Sequence, residues 1–188
     1  MVKCKSILLS MCVKVTSIGD ADMNIRRFKR ADAEFCFKVR ANAFIRKFYD
    51  EIGPEAVAAG VNAYMPEDYI RMAEEAPLFI IEEKRHRIGF FMIKQIDRTT
   101  AELHLIYLDL NYLGKGIGAQ CVRFMEDWIL SEWKGVNTFI VDTIIPEYNR
   151  KFYEKMGFTP VEEVVCTFPD LALKSLRLKK QLLDKGRE

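Results

Sequence analysis

Residues 107–118, with the sequence YLDLNYLGKGIG, are the most informative stretch of this chain. Three glycines at alternate positions, Gly114, Gly116 and Gly118, separate an apolar strand-like segment from a strongly periodic helical one. Glycine allows sharp backbone turns and close approach to a ligand, and the N–H groups in the first turn of a helix have no partner within the helix. Together with the positive charge of Lys115, this arrangement predicts a loop that holds an anionic group such as a phosphate.

Outward from this loop, the chain alternates between segments with strand and helix periodicity. Gly53 and Pro54 break the first helical region. We predict strands at 23–28, 78–81, 88–93, 101–110, 138–141, 159–168 and 175–182, and helices at 30–49, 55–63, 66–76, from 117 to about 135, and at 147–156. This order predicts an α/β (α+β) fold, with one domain over residues 23–188 and a central mixed sheet flanked by helices.

The composition excludes several classes of protein. Hydrophobic residues make up 49% of the 188 residues and charged residues 30%, which is typical of a globular protein with a core and not of a disordered or fibrous chain. The net charge of +2 provides no overall basic field, so we expect no nucleic-acid partner. No apolar run approaches the roughly 20 residues of a membrane span, and we expect a cytoplasmic protein without a membrane partner.

Neither a metal site nor a disulfide framework is expected. The five cysteines are scattered and never spaced as CxxC, and the two histidines, His86 and His104, lie on separate segments. We therefore expect reduced thiols and no metal cofactor. Residues 1–22 precede the first strand pattern, which begins at Met23; we interpret them either as an added arm or as the product of a start codon placed too early.

The glycine loop does not match two common phosphate-binding motifs. A P-loop requires GxxxxGK followed by Ser or Thr, and the chain contains no such run. The dinucleotide fingerprint GxGxxG differs from the GxGxG of residues 114–118, which also lie in mid-chain after an expected hairpin. A nucleotide-binding protein is therefore the least favoured interpretation of the loop.

Residues 107–118 resemble the cofactor-binding motif of the GCN5-related N-acetyltransferases (GNAT family), in which Gln or Arg is followed by two residues, Gly, one residue, and Gly or Ala. Residues 152–158, FYEKMGF, are similar to a second signature of that family and follow at the expected distance of one helix and one strand. Residues 23–28 and 31–33 resemble the family's first strand and first helix. The resemblance covers about residues 23–180 and implies a mixed, mostly antiparallel sheet.

The resemblance also implies an enzyme that transfers the acetyl group of acetyl-CoA directly to an amine. The amides of the glycine loop would hold the diphosphate, and the backbone of residues 108–110 would pair with the pantetheine arm as if it were an added strand. Carried over position by position, the expected cofactor contacts are Leu108, Asp109, Leu110, Gly114, Lys115, Gly116, Ile117, Gly118, Ala119, Asn149 and Tyr153.

Two positions depart from the family pattern. Leu113 stands where Gln or Arg is usual, so one polar contact at the loop is missing. Pro146 replaces an asparagine that commonly lies seven residues before the family's tyrosine, here Tyr153. Asn149 shares a helical face with both positions by its spacing, and we expect it to take over the contact with the pantetheine arm.

Two residues are candidates for the proton transfers that acetylation of an amine requires. Glu102 matches the base glutamate of the family's histone acetyltransferases, and Tyr153 matches the tyrosine that protonates the departing thiolate. Strand alternation predicts that His104 lies on the same face as Glu102 and shares or replaces its role. That face is predicted to continue through Ile106 and Leu108. The alternative is that Glu102 is a solvated strand-end charge and His104 an ordinary structural histidine.

The expected acceptor is a primary amine, and a small molecule is favoured over a protein because the chain is short and compact. A homodimer is expected from the family resemblance. The main alternative is a non-catalytic, acyl-CoA-binding regulatory module, which the departures at Leu113 and Pro146 leave open. Two basic clusters, at residues 26–30 and 84–87, are interpreted as solvated surface charge.

Overall fold

Seven strands form one sheet in a computed structural model that describes residues 23–144, 149–168 and 171–183. The strands are β1 (Met23–Arg27), β2 (Leu78–Glu83), β3 (His86–Gln95), β4 (Thr100–Leu108), β5 (Thr138–Ile144), β6 (Thr159–Phe168) and β7 (Leu171–Gln181). They lie in the order β1-β2-β3-β4-β5-β7-β6, and every neighbouring pair is antiparallel except β4 and β5. The predicted mixed, mostly antiparallel sheet is confirmed; the expected arm at 1–22 lies outside the described residues.

The described residues form four α-helices, which are α1 (Ala33–Asn62), α2 (Pro66–Glu75), α3 (Ile117–Glu132) and α4 (Arg150–Lys155). α1 is interrupted at Gly53, whose φ of 81° lies far from helical values. Pro54 has no N–H group and disfavours helical geometry in the residue before it, so the break falls where the sequence predicts it. The start of the helix predicted at 147–156 falls partly on residues 145–148, which lie outside the described residues.

Helices cover both faces of the sheet. On one face, α3 contributes the buried residues Ile117, Cys121, Val122, Met125 and Ile129. On the other face, α1 and α2 contribute the buried residues Cys36, Val39, Tyr69 and Met72. Burial of one large apolar side chain stabilises the fold by about 1.5–3 kcal/mol, so each face is held by several such contributions. We call these faces the α3 face and the α1 face.

Most strand ends differ from the prediction by one to four residues, and at two of them the structure shows the cause. β4 stops at Leu108, because the Asp109 carboxylate accepts a hydrogen bond from the Asn111 N–H at 2.9 Å and starts a 3-10 turn over Leu110–Tyr112. A side chain that caps the backbone locally competes with continuation of a strand. β7 begins at Leu171 rather than 175, because it pairs with β6 along the whole hairpin.

A β-bulge in β4 changes which side chains share a face. Met92 of β3 lies opposite Leu105, but the next residue, Ile93, lies opposite Leu103, so His104 is an extra residue in β4. The core of the α3 face contains Leu103 and, further along, Ile106, whereas Leu105 belongs to the α1 face. The prediction that Glu102 and His104 share a face with Ile106 and Leu108 is therefore wrong, since simple alternation fails at the bulge.

The only parallel pair among the described strands separates part of the way along. β4 and β5 are paired from Thr100 and Thr138 to Leu103 and Val141. Beyond that point β4 continues to Leu108 along β3, and β5 continues to Ile144 along β7. The two strands thus open into a V whose inner edge on β4 carries peptide groups without a strand partner.

The described cysteines, Cys36, Cys121 and Cys166, are free thiols. Burial raises the pKa of Cys121 to about 12, so it stays a thiol although it lies near the start of α3. Within the described ranges, no group of three or more His, Cys, Asp or Glu side chains could hold a metal ion. None of the helices described here is long and apolar enough to cross a membrane.

Candidate active site

The glycine loop ends at the start of α3 and leaves its first amides open. Gly114 and Gly116 have φ values of 76° and 79°, which favour glycine, and a Cβ built on either would meet no atom within 4 Å. The first intrahelical bond runs from the Gln120 N–H to the Gly116 carbonyl at 3.2 Å. The preceding N–H groups of the helix, at residues 117–119, therefore point out of its positive end, which is an anion site.

Gly118 packs against the second sequence signature, residues 152–158. A Cβ on Gly118 would lie 3.2 Å from the Phe152 ring, so the absence of a side chain lets α4 pack close to the start of α3. The Lys115 ammonium lies 4.8 Å from the centre of the Tyr112 ring, where cation and aromatic face attract. Leu113, which replaces the family's polar residue, is 40% exposed and faces solvent.

The inner edge of β4 runs from the bulge to the glycine loop. Its outer edge is paired with β3, where Leu108 lies opposite Gly89. A Cβ on Gly89 would lie 2.5 Å from the Tyr107 carbonyl oxygen, so only glycine permits this close approach of β3 to β4. The Asp109 N–H donates to the Ile88 carbonyl at 2.8 Å, and the Asp109 carboxylate caps the 3-10 turn. Because the Asp109 side chain is engaged in this turn, the predicted contacts of residues 108–110 with the cofactor would be made by their backbone groups.

Tyr153 lies on α4 in the core of the α3 face and is 4% exposed. Burial, with a smaller contribution from Tyr107, raises the pKa of Tyr153, so its phenol keeps its proton at neutral pH. Asn149 precedes α4, and its carbonyl accepts the Phe152 and Tyr153 N–H groups at 3.1 and 3.2 Å. Its side chain makes no capping hydrogen bond. Pro146 lies outside the described residues.

Glu102 stands at the narrow end of the V, where β4 and β5 are still paired. Its Oε1 lies 3.4 Å from His104 Nδ1, and His104 Nε2 lies 3.1 Å from the Lys94 ammonium. The His104 hydrogen bond lowers the pKa of Glu102 against the opposing effect of burial, and the positive charges of Lys94 and Arg177 add to the lowering. Glu102 is therefore ionised at neutral pH.

Further polar side chains surround Glu102 on the α1 face. Arg177 of β7 donates to both carboxylate oxygens of Asp142 on β5, at 2.9 and 2.8 Å, and lies 3.7 Å from Glu162. Two further side chains, Tyr64 in the connection from α1 to α2 and Cys166 of β6, lie close enough for the charge of Glu102 to raise their pKa values. These side chains are half-buried or exposed, and we call them, together with Glu102, the polar groove.

A buried arginine backs the groove. Arg40 of α1 is 0% exposed, and its guanidinium carbon lies 4.6 Å from the centre of the Phe44 ring, 4.8 Å from that of Tyr64 and 5.9 Å from that of Tyr107. Such stacking on aromatic faces stabilises a cation that has left water. Arg40 ties α1 to β4 beside the V.

Four further charged residues at this site, Lys94, Arg40, Asp142 and Arg177, do not belong to any motif of the sequence. Lys94 and Asp142 each interrupt an apolar strand pattern, which is the one signal that could have found them, whereas Arg40 and Arg177 lie near other basic residues and carry no such signal. The structure does bring together the glycine loop, residues 108–110 and α4 around the wide end of the V, and Glu102 and His104 at its narrow end.

The site therefore consists of an open β4–β5 pair beside a glycine-rich helix start. The model of the Acetyltransferase (GNAT) family matches residues 42–158, which is more than half of the chain, and the chain belongs to that family. It is an acetyltransferase. No curated protein sequence matches this chain.

Solved structures with the same fold share little sequence with this chain. A GCN5-related N-acetyltransferase from Rhodopseudomonas palustris is 15% identical with a TM-score of 0.74, over 89% of this chain and 100% of that one. PaiA N-acetyltransferase from Thermoplasma acidophilum, solved with coenzyme A, is 19% identical with a TM-score of 0.72, over 85% and 98% of the two chains. YncA from Salmonella typhimurium, solved with acetyl-CoA, is 16% identical with a TM-score of 0.65, over 89% and 98%.

The residues present fit acetyl-CoA, the acetyl donor of this family. The open amides at 117–119 and the unobstructed side of Gly114 and Gly116 suit a diphosphate. The unpaired inner edge of β4 suits an amide-bearing arm that adds to the sheet as a strand does. The V therefore has groups suited to both polar parts of the donor, the diphosphate and the amide-bearing pantetheine arm.

Proposed function

We propose that this chain transfers the acetyl group of acetyl-CoA to a primary amine, and that the acceptor is a small molecule. The observation that carries the proposal is the V between β4 and β5, which has an anion-binding helix start at its wide end and an ionised carboxylate, Glu102, at its narrow end. A donor bound in the V and an amine entering from the polar groove would meet between them.

Glu102 acts as the base. A protonated amine has no lone pair, so it must lose a proton before it attacks the acetyl carbonyl carbon. Glu102 is ionised and receives that proton directly or through a water. His104 is a weaker candidate because both of its ring nitrogens already lie within hydrogen-bond distance of Glu102 and Lys94.

Tyr153 acts as the acid. As the C–S bond breaks, the sulfur takes the bonding electrons, and a proton on it prevents the return reaction. The raised pKa of Tyr153 keeps its phenol protonated and ready to supply that proton. Its position on α4, next to the helix that carries the glycine loop, supports contact with the donor arm, as does that of Asn149.

The Glu102 carboxylate supports an acceptor that enters the groove as a cation. The carboxylates of Glu102, Asp142 and Glu162 are balanced by the cations Lys94, Arg177 and the buried Arg40, so the groove as a whole is neutral. A protonated primary amine is therefore attracted by Glu102 itself and not by a surplus of negative charge. Among the solved structures with this fold is a spermidine N-acetyltransferase, SpeG, in a chimera from Vibrio cholerae and hSSAT, at 15% identity. We also propose a cytoplasmic homodimer as the working state, to be tested by light scattering.

The first experiment is a calorimetric titration with acetyl-CoA, with ATP and NAD in parallel. Saturable binding of acetyl-CoA alone is expected, because the V offers a β4 edge that only the pantetheine arm can use. An amine screen then follows release of the CoA thiol, comparing polyamines, small amino compounds and a lysine peptide. Binding without amine-dependent thiol release would support the non-catalytic module instead, and ATP or NAD binding of equal strength would support a nucleotide-binding protein.

The role of Glu102 is tested by Glu102→Gln, which keeps the shape of the side chain but removes its basicity. We expect turnover to fall about 100-fold or more, with acetyl-CoA affinity unchanged. The matched control is Glu34→Gln on the exposed surface of α1, which should leave turnover unchanged. Full activity of the Glu102 variant would remove Glu102 from the role of base.

A further inference from the structure

We propose that Lys94 is a positioning residue, whose ammonium fixes His104 in the tautomer with the proton on Nδ1 and thereby directs that proton to Glu102. This inference rests on the proposed function in so far as Glu102 is the base. It concerns a residue of β3 whose ammonium contacts His104.

The sheet register brings the three side chains together. Lys94 lies directly opposite Glu102 in the β3–β4 ladder, and its neighbour Ile93 belongs to the core of the α3 face, so Lys94 points to the α1 face. Glu102 and His104 lie on that same face, since Leu103 between them packs into the α3 face. The distances form a continuous chain, 3.1 Å from Lys94 Nζ to His104 Nε2 and 3.4 Å from His104 Nδ1 to Glu102 Oε1.

Only one placement of the hydrogen atoms gives a donor and an acceptor at both the Lys94–His104 and the His104–Glu102 contacts. A lysine ammonium has donors and no acceptor, so Nε2 of His104 must accept. A neutral imidazole has one donor and one acceptor, and the proton therefore sits on Nδ1. The Glu102 carboxylate has acceptors only, and it receives that proton through Oε1. With any other tautomer, two donors or two acceptors would face each other.

This order of hydrogen bonds has two consequences for Glu102. A hydrogen bond to the ionised form keeps the carboxylate charged, in line with the lowered pKa of Glu102. It also fixes Oε1, while among the described residues no hydrogen bond reaches Oε2, the oxygen available to the amine or to a water. The imidazole itself is left with no free nitrogen, so His104 orients the base and does not replace it.

Other titratable and charged groups also face Glu102, and a pH experiment must distinguish their effects on the Glu102 pKa from that of Lys94. From the elements packed around it, these are Tyr64, His104, Asp142, Cys166 and Arg177. A change at Lys94 leaves all of them in place, but the charge of Lys94 also acts directly on Glu102, which lies opposite it in the ladder. The tautomer of His104 therefore reports the Lys94–His104 contact, and Lys94→Arg, which keeps the charge, separates the two effects on Glu102.

The test is the tautomer of His104, read from two-bond ¹⁵N–¹H correlations of the imidazole ring in the full-length protein. The chain has two histidines, and His86 is exposed at the start of β3, which makes it an internal reference. We expect His104 to carry its proton on Nδ1 in the wild type, to lose that preference in Lys94→Met, and to keep it in Lys94→Arg. A wild-type His104 with its proton on Nε2 overturns the proposal without any variant, as does an unchanged tautomer in a folded Lys94→Met.

A second measurement follows the base itself. In Lys94→Met we expect the pKa of the Glu102 carboxyl, titrated by ¹³C NMR, to rise, and the acid limb of kcat/KM to move to higher pH by the same amount. The KM for acetyl-CoA should not change. Lys38→Met, on the exposed surface of α1, is the matched control and should move neither value.

The two proposals fail in different ways. An absence of amine-dependent thiol release in the wild type would overturn the proposed function, while the NMR data would still decide whether Lys94 sets the His104 tautomer and the Glu102 pKa. An unshifted Glu102 pKa in Lys94→Met would overturn the positioning role even in a fully active enzyme.

Discussion

Asp32 is the residue at which two basic segments of the chain meet. Its carboxylate is 4% exposed and accepts from Arg26 at 2.7 and 3.0 Å, from Arg87 at 3.2 Å and from the Lys29 N–H at 2.8 Å. The interpretation of both basic clusters as solvated charge is thus wrong for Arg26 and Arg87. Arg27 is exposed as predicted, although its guanidinium also lies over the Phe79 and Trp128 rings.

Asp32→Asn should destabilise the fold by about 3 kcal/mol, at the low end for removing one partner from a buried ion pair, because both arginines remain partly exposed. Urea unfolding at pH 7 measures this. Glu34→Gln, which breaks an exposed pair with Lys38, is the matched control and should cost less than about 0.5 kcal/mol.

The same substitution should change how stability depends on pH. Burial alone would raise the pKa of Asp32, but the hydrogen bonds from Arg26, Lys29 and Arg87 outweigh it and hold the pKa below its usual value. The contribution of Asp32 is therefore complete above its unfolded pKa of about 3.9 and is lost as the pH falls through the folded value. The difference between wild type and Asp32→Asn should be constant from pH 7 to 5 and shrink below pH 4; a constant difference down to pH 2 would contradict this.

Tyr153→Phe should lower kcat about 100-fold while the KM for acetyl-CoA changes little, because the substitution removes only the phenolic hydroxyl, the proposed proton donor, and keeps the buried ring. Steady-state thiol release at saturating amine measures this. Tyr49→Phe on α1, where the side chain is 51% exposed, is the control and should behave as the wild type. Equal activity of both variants would exclude Tyr153 as the acid.

At the scale of the element, β4 is both a sheet strand and the proposed binding edge for the donor. Its bulge at His104 turns Glu102 and His104 to the α1 face and Ile106 to the α3 face. Its far end is held against β3 by the glycine at position 89. The strand can thus carry the base on its side chains and pair with the donor arm along its backbone.

Gly89→Ala should weaken acetyl-CoA binding about tenfold, because the added Cβ would fall 2.5 Å from the Tyr107 carbonyl oxygen and 2.6 Å from Leu108, and β4 must shift to relieve the overlap. Calorimetric titration of the folded variant measures the affinity. Thermal unfolding in parallel shows whether the variant is intact. An intact variant with wild-type affinity would show that the β4 edge does not contact the donor.

At the scale of the whole molecule, the V between β4 and β5 is the part of the sheet with the fewest strand contacts. A ligand that fills it adds hydrogen bonds along β4 and binds only the folded state, and so it stabilises the fold by mass action. We expect acetyl-CoA at 100 times its Kd to add about 2.7 kcal/mol and to raise Tm by about 5–10 °C. ATP and NAD at equal concentration are the controls, and an equal shift with either would contradict binding through the pantetheine arm.

The sequence alone determined the order of strands and helices, the break at Gly53, the glycine loop and the family. These are local signals: hydrophobic periodicity, φ-permissive glycines and short motifs act within a few residues of chain. The candidate residues Glu102 and Tyr153 also came from motif positions, and their roles stay predictions until the variants are measured.

Only the tertiary structure decided the bulge, the opening of β4 from β5, the Lys94–His104–Glu102 chain and the pairing of Asp32 with Arg26 and Arg87. Each of these depends on strand register or on contacts between distant segments, and a shift of one residue in register reverses which face a side chain occupies. The physical reason is that periodicity specifies which residues are buried, whereas packing specifies which of them meet.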